Sequence, residues 1–418
     1  MLHIIEGGAF MAAMVFLDQY TVMIGFIQKL SKNPLIISLI PAALVIGFNT
    51  PGLFTAQMIQ RIQNKHRFVA ITGLFQRLMI LLLAAFTLGM GNLPPTTAGI
   101  VSAFIFFLFA GIGGSGGPAW LDLLMRTVPP GRRSRVIALR NAIGAGAGII
   151  FPVFIAYILK TRPFPESYRI LFLTACGFFT VSWIGFVMLK DLEVPLVAET
   201  SRQKFSAFIK ALPGSDPNFI RFLLSRILFG FCLITTSFYT VYYLSSNEGI
   251  DDSVVATFAL AMNVSKIFGG LFLGHLADKK GNLLIYKIGI LLIIPANLLI
   301  LYSPSLPVFI GVFVLFGLTF AADTNTYQSF IGEFGTPLNR VFYTTLGSSV
   351  AGTFAGILPI VAGILLKLGY VRYQMLFLFC ASLAVLCFLY VQAAVKAPLV
   401  KGGPGFADLK AKEENTTA

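Results

Sequence analysis

The chain has 418 residues, of which 56% are hydrophobic and only 11% are charged, whereas soluble domains average roughly 25% charged residues. Together with a mean hydropathy of +0.83, this composition excludes soluble enzymes and nucleic-acid-binding proteins and predicts an integral membrane protein. The net charge of +14 is therefore interpreted as a signal for loop orientation rather than for a polyanionic partner.

Apolar segments of about 20 residues, the length that crosses a bilayer as a helix, recur along the whole chain. Charged residues combined with Pro, Gly or Asn separate them, and we number them spans 1 to 12 in chain order. The first six spans are predicted at 4–27, 34–59, 68–90, 97–126, 135–160 and 168–190. The second six are predicted at 218–245, 252–277, 283–302, 306–332, 341–367 and 372–396.

The two sets of six spans share sequence. Tyr20-Thr21-Val22 in span 1 recurs as Tyr239-Thr240-Val241 in span 7, and Gly52-Leu53-Phe54 in span 2 recurs as Gly270-Leu271-Phe272 in span 8. Parallel repeats of this kind are typical of transporters, whose substrate path runs between the halves. We predict an N-terminal six-helix bundle over 1–190, a cytoplasmic linker over 191–217, a C-terminal six-helix bundle over 218–396 and a disordered cytoplasmic tail over 397–418.

Lys and Arg residues are concentrated in the loops on one side of the predicted spans. The connections after even-numbered spans and the C-terminal tail carry most of them, whereas the other loops carry few. Because positively charged loops stay on the cytoplasmic side, both termini and the linker are predicted to be cytoplasmic. We therefore predict a multi-pass protein of the plasma (cytoplasmic, or cell inner) membrane that is surrounded by the lipid bilayer.

The segment that follows span 8 carries a recognisable motif. With twelve spans in a six-plus-six repeat and the sequence Gly274-His275-Leu276-Ala277-Asp278-Lys279-Lys280-Gly281-Asn282, the chain resembles the major facilitator superfamily over about residues 1–396. The first-half counterpart of this motif has Gln60 where the family has Asp. The resemblance implies a gating loop in which Asp278 meets the start of span 5 near Arg135 in the outward-open state; the alternative is a solvated turn. The loop residues concerned are Gly274, Asp278, Lys279 and Gly281.

Pairs of small residues four apart mark close helix packing in membranes. In the fold of the family that the chain resembles, span 5 crosses span 8, and span 2 crosses span 11, between the two halves. Smooth glycine faces at these crossings would allow the helices to slide past each other. Static packing of the helices would leave the same sequence pattern. The pairs are Gly144 and Gly148 in span 5, Gly270 and Gly274 in span 8, and Gly352 and Gly356 in span 11. The resemblance would imply a basic residue in span 4 near Phe107, and none is there, which weakens an assignment as a proton antiporter of the drug-efflux type.

Span 4 contains the row Gly111–Pro118, which formally matches two enzyme motifs, the dinucleotide loop GxGxxG and the nucleophile elbow GxSxG. Both motifs need a strand before the turn, so we reject them here. The row instead predicts a broken or pliable helix, and Trp120 just beyond it is either a gate or a packing residue. The four cysteines have no metal-ligand spacing, so no metal and no cofactor are expected.

Charged residues inside membrane spans are functional candidates because they are costly unless paired or hydrated. They are Asp18, Arg77, Asp122, Arg140, Arg226, Lys266 and Asp323. Asp122, Arg140 and Arg226 lie near the cytoplasmic ends, where snorkelling or loop pairing is the simpler interpretation. Asp18 and Lys266 lie deepest, either as a substrate and proton-coupling pair or as a structural ion pair. The candidate site residues are Asp18, Lys266, Tyr20, Tyr239 and Asn263.

These features predict a secondary active transporter that moves a small solute by alternating access, and not an enzyme. Coupling to protons and uncoupled facilitation both remain open, and a non-transporting receptor or scaffold on the same fold is a further alternative. We expect a monomer whose partners are a small-molecule substrate of unknown identity, the lipid bilayer and, in the coupled case, protons.

Overall fold

The computed structural model describes residues 1–59, 62, 64–128, 130–189, 209, 212–214, 216–247, 251, 253–302, 304–334 and 340–397. The regular secondary structure of these residues is entirely helical, which confirms the predicted all-helical class. Ten segments within them are long and apolar enough to cross a membrane. Two further apolar helices, Leu2–Val15 and Pro34–Asn49, are shorter, and each is followed by a second helical piece.

In the N-terminal half, spans 1 and 2 each consist of two helices. Span 1 is formed by Leu2–Val15 and Val22–Leu30, and span 2 by Pro34–Asn49 and Pro51–Ile59. Spans 3 to 6 are Lys65–Gly89, Pro95–Thr127, Pro130–Thr161 and Glu166–Val187. The interruption of span 2 falls at a proline, which cannot donate a helical backbone hydrogen bond.

In the C-terminal half, span 7 is formed by Pro217–Cys232, a 3-10 turn at Ile234–Ser237 and the short helix Tyr239–Ser246. Spans 8 to 12 are Val254–Lys280, Asn282–Tyr302, Leu306–Glu333, Arg340–Lys367 and Tyr373–Ala394. Spans 2 and 7 begin alike. The side chains of Asn33 and Asp216 accept backbone N–H groups at 3.1 and 3.0 Å, and a proline occupies the next position, as is usual for capped helix starts.

The ends of the spans define two faces of the molecule. Near one face, the ring of His3 lies 2.6 Å from the hydroxyl of Thr127, and the amide of Asn218 donates to the carbonyl of Lys396 at 2.8 Å. The start of span 1 therefore lies beside the end of span 4, and the start of span 7 beside the end of span 12. We call this side the terminal face and the opposite side the far face; the sequence analysis predicts that the terminal face is cytoplasmic.

Aromatic side chains fill the interior of each half. Phe16, Phe26 and Phe172 are buried in the N-terminal half, and Phe219 and Phe222 in the C-terminal half. Edge-to-face contacts join several of these rings, for example Phe26 to Phe172 at 5.1 Å, in the geometry that aromatic pairs prefer. Each half therefore has a core of aromatic side chains, and the N-terminal cluster extends across the contact between the halves to Val241 and Ala256.

Candidate functional site

Span 1 is interrupted between Val15 and Val22, and Asp18 lies in this break. Its Oδ1 accepts hydrogen bonds from the backbone N–H groups of Tyr20 and Thr21, at 3.0 and 2.9 Å, and from the Thr21 hydroxyl at 2.7 Å. These N–H groups belong to the turn that precedes the helix Val22–Leu30, whose N-cap residue, Thr21, makes no side-chain cap hydrogen bond. Asp18 thus stabilises the turn from which the second half of span 1 starts, as Asp side chains do in Asx turns, and its charge lies near the positive end of that helix dipole.

Span 7 is interrupted at the position that the sequence repeat relates to the break in span 1. The helix ends at Cys232 and resumes at Tyr239, which matches Tyr20. The two breaks are joined across the halves, because the hydroxyl of Thr240 donates to the backbone carbonyl of Tyr20 at 2.6 Å. Broken helices at the contact between two repeats are where transporters build their substrate and ion sites.

Lys266 on span 8 lies on the C-terminal side of this contact. Its ammonium is 4.3 Å from the centre of the Phe320 ring on span 10, a cation–π arrangement. It also interacts electrostatically with Asp18, although none of the ion pairs between described side chains joins them. The contact between the halves therefore has one acidic and one basic side chain, each with local partners of its own.

Three other candidate residues have different surroundings. The ring of Tyr20 makes an edge contact with Phe316 of span 10 at 5.0 Å, which crosses between the halves. Asn263 donates to the carbonyl of its own helix at Ala259, 2.9 Å away, and faces span 5. Tyr239 is buried in the core of the C-terminal half, where its hydroxyl donates to Asn297 at 3.3 Å. The structure thus brings Asp18, Lys266, Tyr20 and Asn263 to the contact between the halves, but not the hydroxyl of Tyr239.

Glycines allow the close approach of spans 2 and 11. A Cβ at Gly352 would lie 2.6 Å from the Asn49 side chain, and one at Gly356 would overlap Ile46. Beside them, the hydroxyl of Ser349 donates to the carbonyl of Asn49 at 3.0 Å. Both glycines therefore lie in the contact between the halves, where the resemblance implies a crossing.

The glycines of spans 5 and 8 are divided between two surfaces. A Cβ at Gly148 would lie 3.1 Å from Asn263 on span 8, whereas one at Gly144 would lie 2.7 Å from Met11 on span 1. Gly144 thus packs within its own half, contrary to the expectation that both glycines face span 8. The helical pitch explains the difference, because two residues four apart are offset by about 40° around a helix with 3.6 residues per turn.

The contacts between the halves extend from the middle of the molecule to the far face. The Gln28 amide donates to Ser245 at 3.3 Å, and Gly363 of span 11 packs against the start of span 2. Nearer the middle, the hydroxyls of Thr50 and Thr353 are 3.1 Å apart. The described hydrogen bonds between the halves thus lie from the middle of the molecule to the far face.

The side chains of Asp278 and Arg135, which the resemblance pairs as a gate, lie outside the described residues. Of the rest of that loop, Lys279 is exposed, and Gly281 ends span 8 with φ of +86°. Glycine alone adopts such a conformation without strain. Gly270 and Gly274 lie on span 8 itself. The gate therefore remains a prediction.

Span 4 is a continuous helix over Pro95–Thr127, so the first of the two expectations, a broken span 4, is wrong, and the second, a pliable span 4, stays a prediction. Its glycines serve close packing instead. A Cβ at Gly114 would overlap the backbone of span 2 at Gly47, and one at Gly47 would lie 2.5 Å from Ala110. The absence of side chains lets spans 2 and 4 approach each other, and this packing holds the helix through the glycine row.

A cavity of about 240 Å³ lies inside the N-terminal half and includes residues of all six spans in its lining. Glu6 of span 1 and Arg140 of span 5 form a buried ion pair there at 3.6 Å, and the guanidinium lies 4.5 Å from the centre of the Trp120 ring. Sequence reasoning missed Glu6, although an acidic residue inside the first apolar segment was a visible signal. Arg140 pairs inside the bundle and does not snorkel to the surface.

The C-terminal half contains a second buried ion pair. Both guanidinium nitrogens of Arg226 on span 7 donate to the two carboxylate oxygens of Asp323 on span 10. The guanidinium also lies 5.4 and 5.7 Å from the ring centres of Phe229 and Tyr286. Arg226 thus has a bidentate partner within its own half, so it is not a side chain that snorkels to the membrane surface. The side chain of Asp122, the third residue interpreted in that way, lies outside the described residues.

A family model described as the Major Facilitator Superfamily matches residues 8–282 and 238–409 of the chain. A sequence search of curated proteins finds no match. Solved structures with a similar fold include a mutant of the nucleoside transporter NupG, with a TM-score of 0.71 at 14% identity over 95% of this chain and 100% of that one.

Two further similar structures are transporters for other solutes. A POT family transporter bound to a thioalcohol-conjugated peptide has a TM-score of 0.70 at 12% identity, over 94% of this chain and 95% of that one. The xylose transporter XylE from E. coli, in a partially occluded inward-open conformation, has a TM-score of 0.65 at 13% identity, over 94% and 98% of the two chains. At these identities the similarity shows the fold alone.

Proposed function

The chain belongs to the major facilitator superfamily, and from that premise we propose that it carries a small solute across a membrane by alternating access. Family and fold together make it a multi-pass membrane transporter and not an enzyme. The proposal concerns what lies beyond that: the mechanism, the residues and the coupling.

The observation that carries the proposal is the joined pair of breaks in spans 1 and 7. Asp18 lies in one break, Tyr20 and Thr240 link the two breaks, and Lys266 contributes the opposite charge. Non-helical backbone at membrane depth is tolerated where it lines a path or is buried in protein. A solute between these groups would meet hydroxyl, carbonyl and charged partners from both halves.

The distribution of contacts between the halves supports a rocking motion. The described contacts hold the halves together at the far face, from Gln28 and Ser245 to the glycine contact at Gly363. This is the arrangement expected of a carrier that is open toward the terminal face. In the alternate state these contacts would have to separate.

A reversible cross-link tests this motion. In a chain whose four native cysteines are replaced by Ala, the pair Gln28→Cys and Ser245→Cys would lock the far face when oxidised. Proteoliposomes are screened for exchange of labelled nucleosides, pentoses, dipeptides and amino or hydroxy acids. Oxidation should abolish exchange and a reductant should restore it.

A matched control cross-links two spans of the same half. The side chains of Lys287 and Gln392 are 2.7 Å apart on spans 9 and 12, so Lys287→Cys with Gln392→Cys should leave exchange active when oxidised. Exchange that survives the Gln28–Ser245 cross-link, or that is lost equally in the control, would contradict alternating access at this contact.

Proton coupling is proposed to act through Asp18. Its Oδ1 accepts all three hydrogen bonds that hold the turn before the helix, and a protonated carboxyl is a weaker acceptor than a carboxylate. Protonation would therefore loosen the start of the second half of span 1, which carries the contact with span 7. Exchange that is unchanged from about pH 5 to 8 and indifferent to a protonophore would establish the alternative, an uncoupled facilitator.

A further inference from the structure

The cavity in the N-terminal half is set apart from the contact between the halves. Spans 3 and 6 contribute Gln76, Arg77 and Trp183 to its lining, whereas the joined breaks lie on spans 1 and 7. Neither Asp18 nor Lys266 lines it. Its chemistry is therefore independent of the function proposed above.

Four buried polar atoms of this cavity have no hydrogen-bond partner among the described residues. They comprise three N–H donors and one acceptor: Arg140 Nη1, Gln76 Nε2, Trp120 Nε1 and Glu6 Oε2. The side chains of Glu6, Gln76 and Arg140 are each more than nine-tenths buried, at 6%, 4% and 8% exposure. Buried polar groups are normally paired because leaving them unpaired costs free energy, so this set is arranged for an occupant that supplies acceptors and one donor.

Charge defines the occupant further. Two guanidinium groups, of Arg77 and Arg140, and one carboxylate, of Glu6, line the cavity among the described side chains. Arg77 is already engaged with the carbonyls of Phe179 and Gly73 and the hydroxyl of Ser182. Arg140 has the loose pair with Glu6, whose 3.6 Å separation exceeds a hydrogen bond, and the cation–π contact with Trp120. The excess positive charge and the three N–H donors favour a carboxylate.

We propose that this cavity binds a small carboxylate with a hydrogen-bond donor on the adjacent carbon, that is, an α-hydroxy or α-amino acid. Its carboxylate would accept from Arg140, Gln76 and Trp120, and its donor would bind Glu6. Because the Arg140 and Glu6 atoms lie 3.6 Å apart, the two groups of the ligand must be neighbours. A volume of about 240 Å³ holds roughly eight groups of water size, at about 30 Å³ each.

The protein contains its own reporter of this site. The chain has two tryptophans, Trp120 and Trp183, and both line the cavity. Trp183 is held by a hydrogen bond to the carbonyl of Ala70 at 2.8 Å. Tryptophan emission of the purified full-length protein in detergent therefore responds to occupancy of this cavity.

The titration uses L-lactate, L-alanine, propionate and methyl L-lactate. We expect a saturable change in tryptophan emission with L-lactate, with L-alanine or with both. Comparison of the two ligands shows whether the site accepts a hydroxyl or an ammonium group as the donor to Glu6. Propionate lacks the donor for Glu6 and should bind several-fold more weakly, and the ester lacks the carboxylate and should give no response. Equal responses to lactate and propionate would overturn the proposal. No saturable response to any of the four compounds would also overturn it and would mean that the cavity holds only water.

Two kinds of variant identify the site. Arg140→Gln removes the charged donor and should weaken binding roughly ten- to a hundredfold, the loss expected for one charge-assisted hydrogen bond. Gly117→Val keeps every charge and places a side chain where nothing lies within 4 Å of a Cβ, on the lining of the cavity. It should abolish binding by occupying the space.

Gly111→Val is the matched control, since Gly111 lies on the same helix, also has open space around a Cβ and does not line the cavity. It should bind like the wild type, and so should Lys266→Gln, which alters the contact between the halves instead. Binding that survives Gly117→Val, or that is lost equally in Gly111→Val or Lys266→Gln, would place the ligand elsewhere. Because binding is measured without transport, the outcome is separate from that of the proposed function.

Discussion

The two halves of the molecule hold a buried ion pair near the same end but complete it differently. Repeat alignment through Tyr20 and Tyr239 places Glu6 of span 1 opposite Ser225, next to Arg226 of span 7. In the C-terminal half the arginine is bidentate to Asp323 and enclosed by aromatic rings. In the N-terminal half the pair is loose and borders a cavity. The two halves thus bury charge at the same place in the repeat. The residues on the first span of each half have opposite signs, and only the C-terminal pair is closed by two hydrogen bonds.

A second difference concerns the breaks in spans 1 and 7. The break in span 1 is held by a carboxylate, Asp18, whereas the break in span 7 is held by neutral hydroxyls, with Thr235 donating to Tyr239 at 3.1 Å. A carboxylate is therefore present in only one of the two breaks that the repeat relates. Internal repeats can keep a backbone feature while concentrating its chemistry in one copy.

The largest expected effect follows from this concentration of charge at the contact between the halves. Asp18→Asn and Lys266→Ala should each abolish solute transport while expression remains intact, because each removes one of the two opposite charges at the joined breaks. Uptake or exchange in proteoliposomes, normalised to reconstituted protein, measures the effect. Wild-type rates in both variants would remove these residues from the mechanism.

Stability should distinguish the two buried ion pairs. Arg226→Met or Asp323→Asn leaves an uncompensated charge in an enclosed site and should cost about 3–5 kcal/mol. Glu6→Gln should cost less, about 1–2 kcal/mol, because the pair that it breaks is longer than a hydrogen bond, at 3.6 Å, and Gln keeps an oxygen acceptor for Arg140. Unfolding of the purified proteins in detergent compares them, and equal losses in the two halves would show that the loose geometry of the N-terminal pair does not lower its contribution.

Substitutions at the glycine contact between spans 2 and 11 should have an intermediate effect on stability. Gly356→Val forces a side chain into Ile46 and should cost about 1–3 kcal/mol through overpacking. Gly146→Val, where a Cβ meets nothing within 4 Å, is the control and should be close to neutral. Similar unfolding midpoints for the two variants would mean that spans 2 and 11 part readily enough to absorb the added volume.

The spans themselves could be predicted from the sequence because hydropathy and turn residues reflect local physics. The glycine contacts at Gly352 and Gly356 followed from their spacing together with the crossing of spans 2 and 11 that the family resemblance implies. The breaks did not, since Phe16–Thr21 contains neither glycine nor proline and its geometry depends on the hydrogen bonds of Asp18 and on contacts with span 7. Conversely, the glycines of span 4 suggested a break, but the packing of Gly47 against Ala110 stabilises a continuous helix.

The smallest expected effect separates the two breaks by the side chains that hold them. Asp18→Ala removes the acceptor of three hydrogen bonds in the turn before the helix and should cost about 1–2 kcal/mol. Asp18→Asn should retain most of that stability because the amide oxygen of asparagine can accept the same turn hydrogen bonds. Thr235→Ala removes one neutral hydrogen bond from the break in span 7 and should cost no more than about 1 kcal/mol.

Unfolding of these three variants, together with their transport rates, separates the turn hydrogen bonds of Asp18 from its charge. If Asp18 acts both as the acceptor that holds the turn and as the coupling group, Asp18→Asn is stable and inactive, Asp18→Ala is less stable and inactive, and Thr235→Ala is nearly wild type in both measurements. An active and stable Asp18→Asn would mean that holding the turn is the whole role of Asp18, since the amide reproduces the hydrogen bonds and lacks only the charge. Equal stability of Asp18→Ala and Asp18→Asn would instead show that the second half of span 1 is held by its contacts with span 7, and the two breaks would then be equivalent despite their different chemistry.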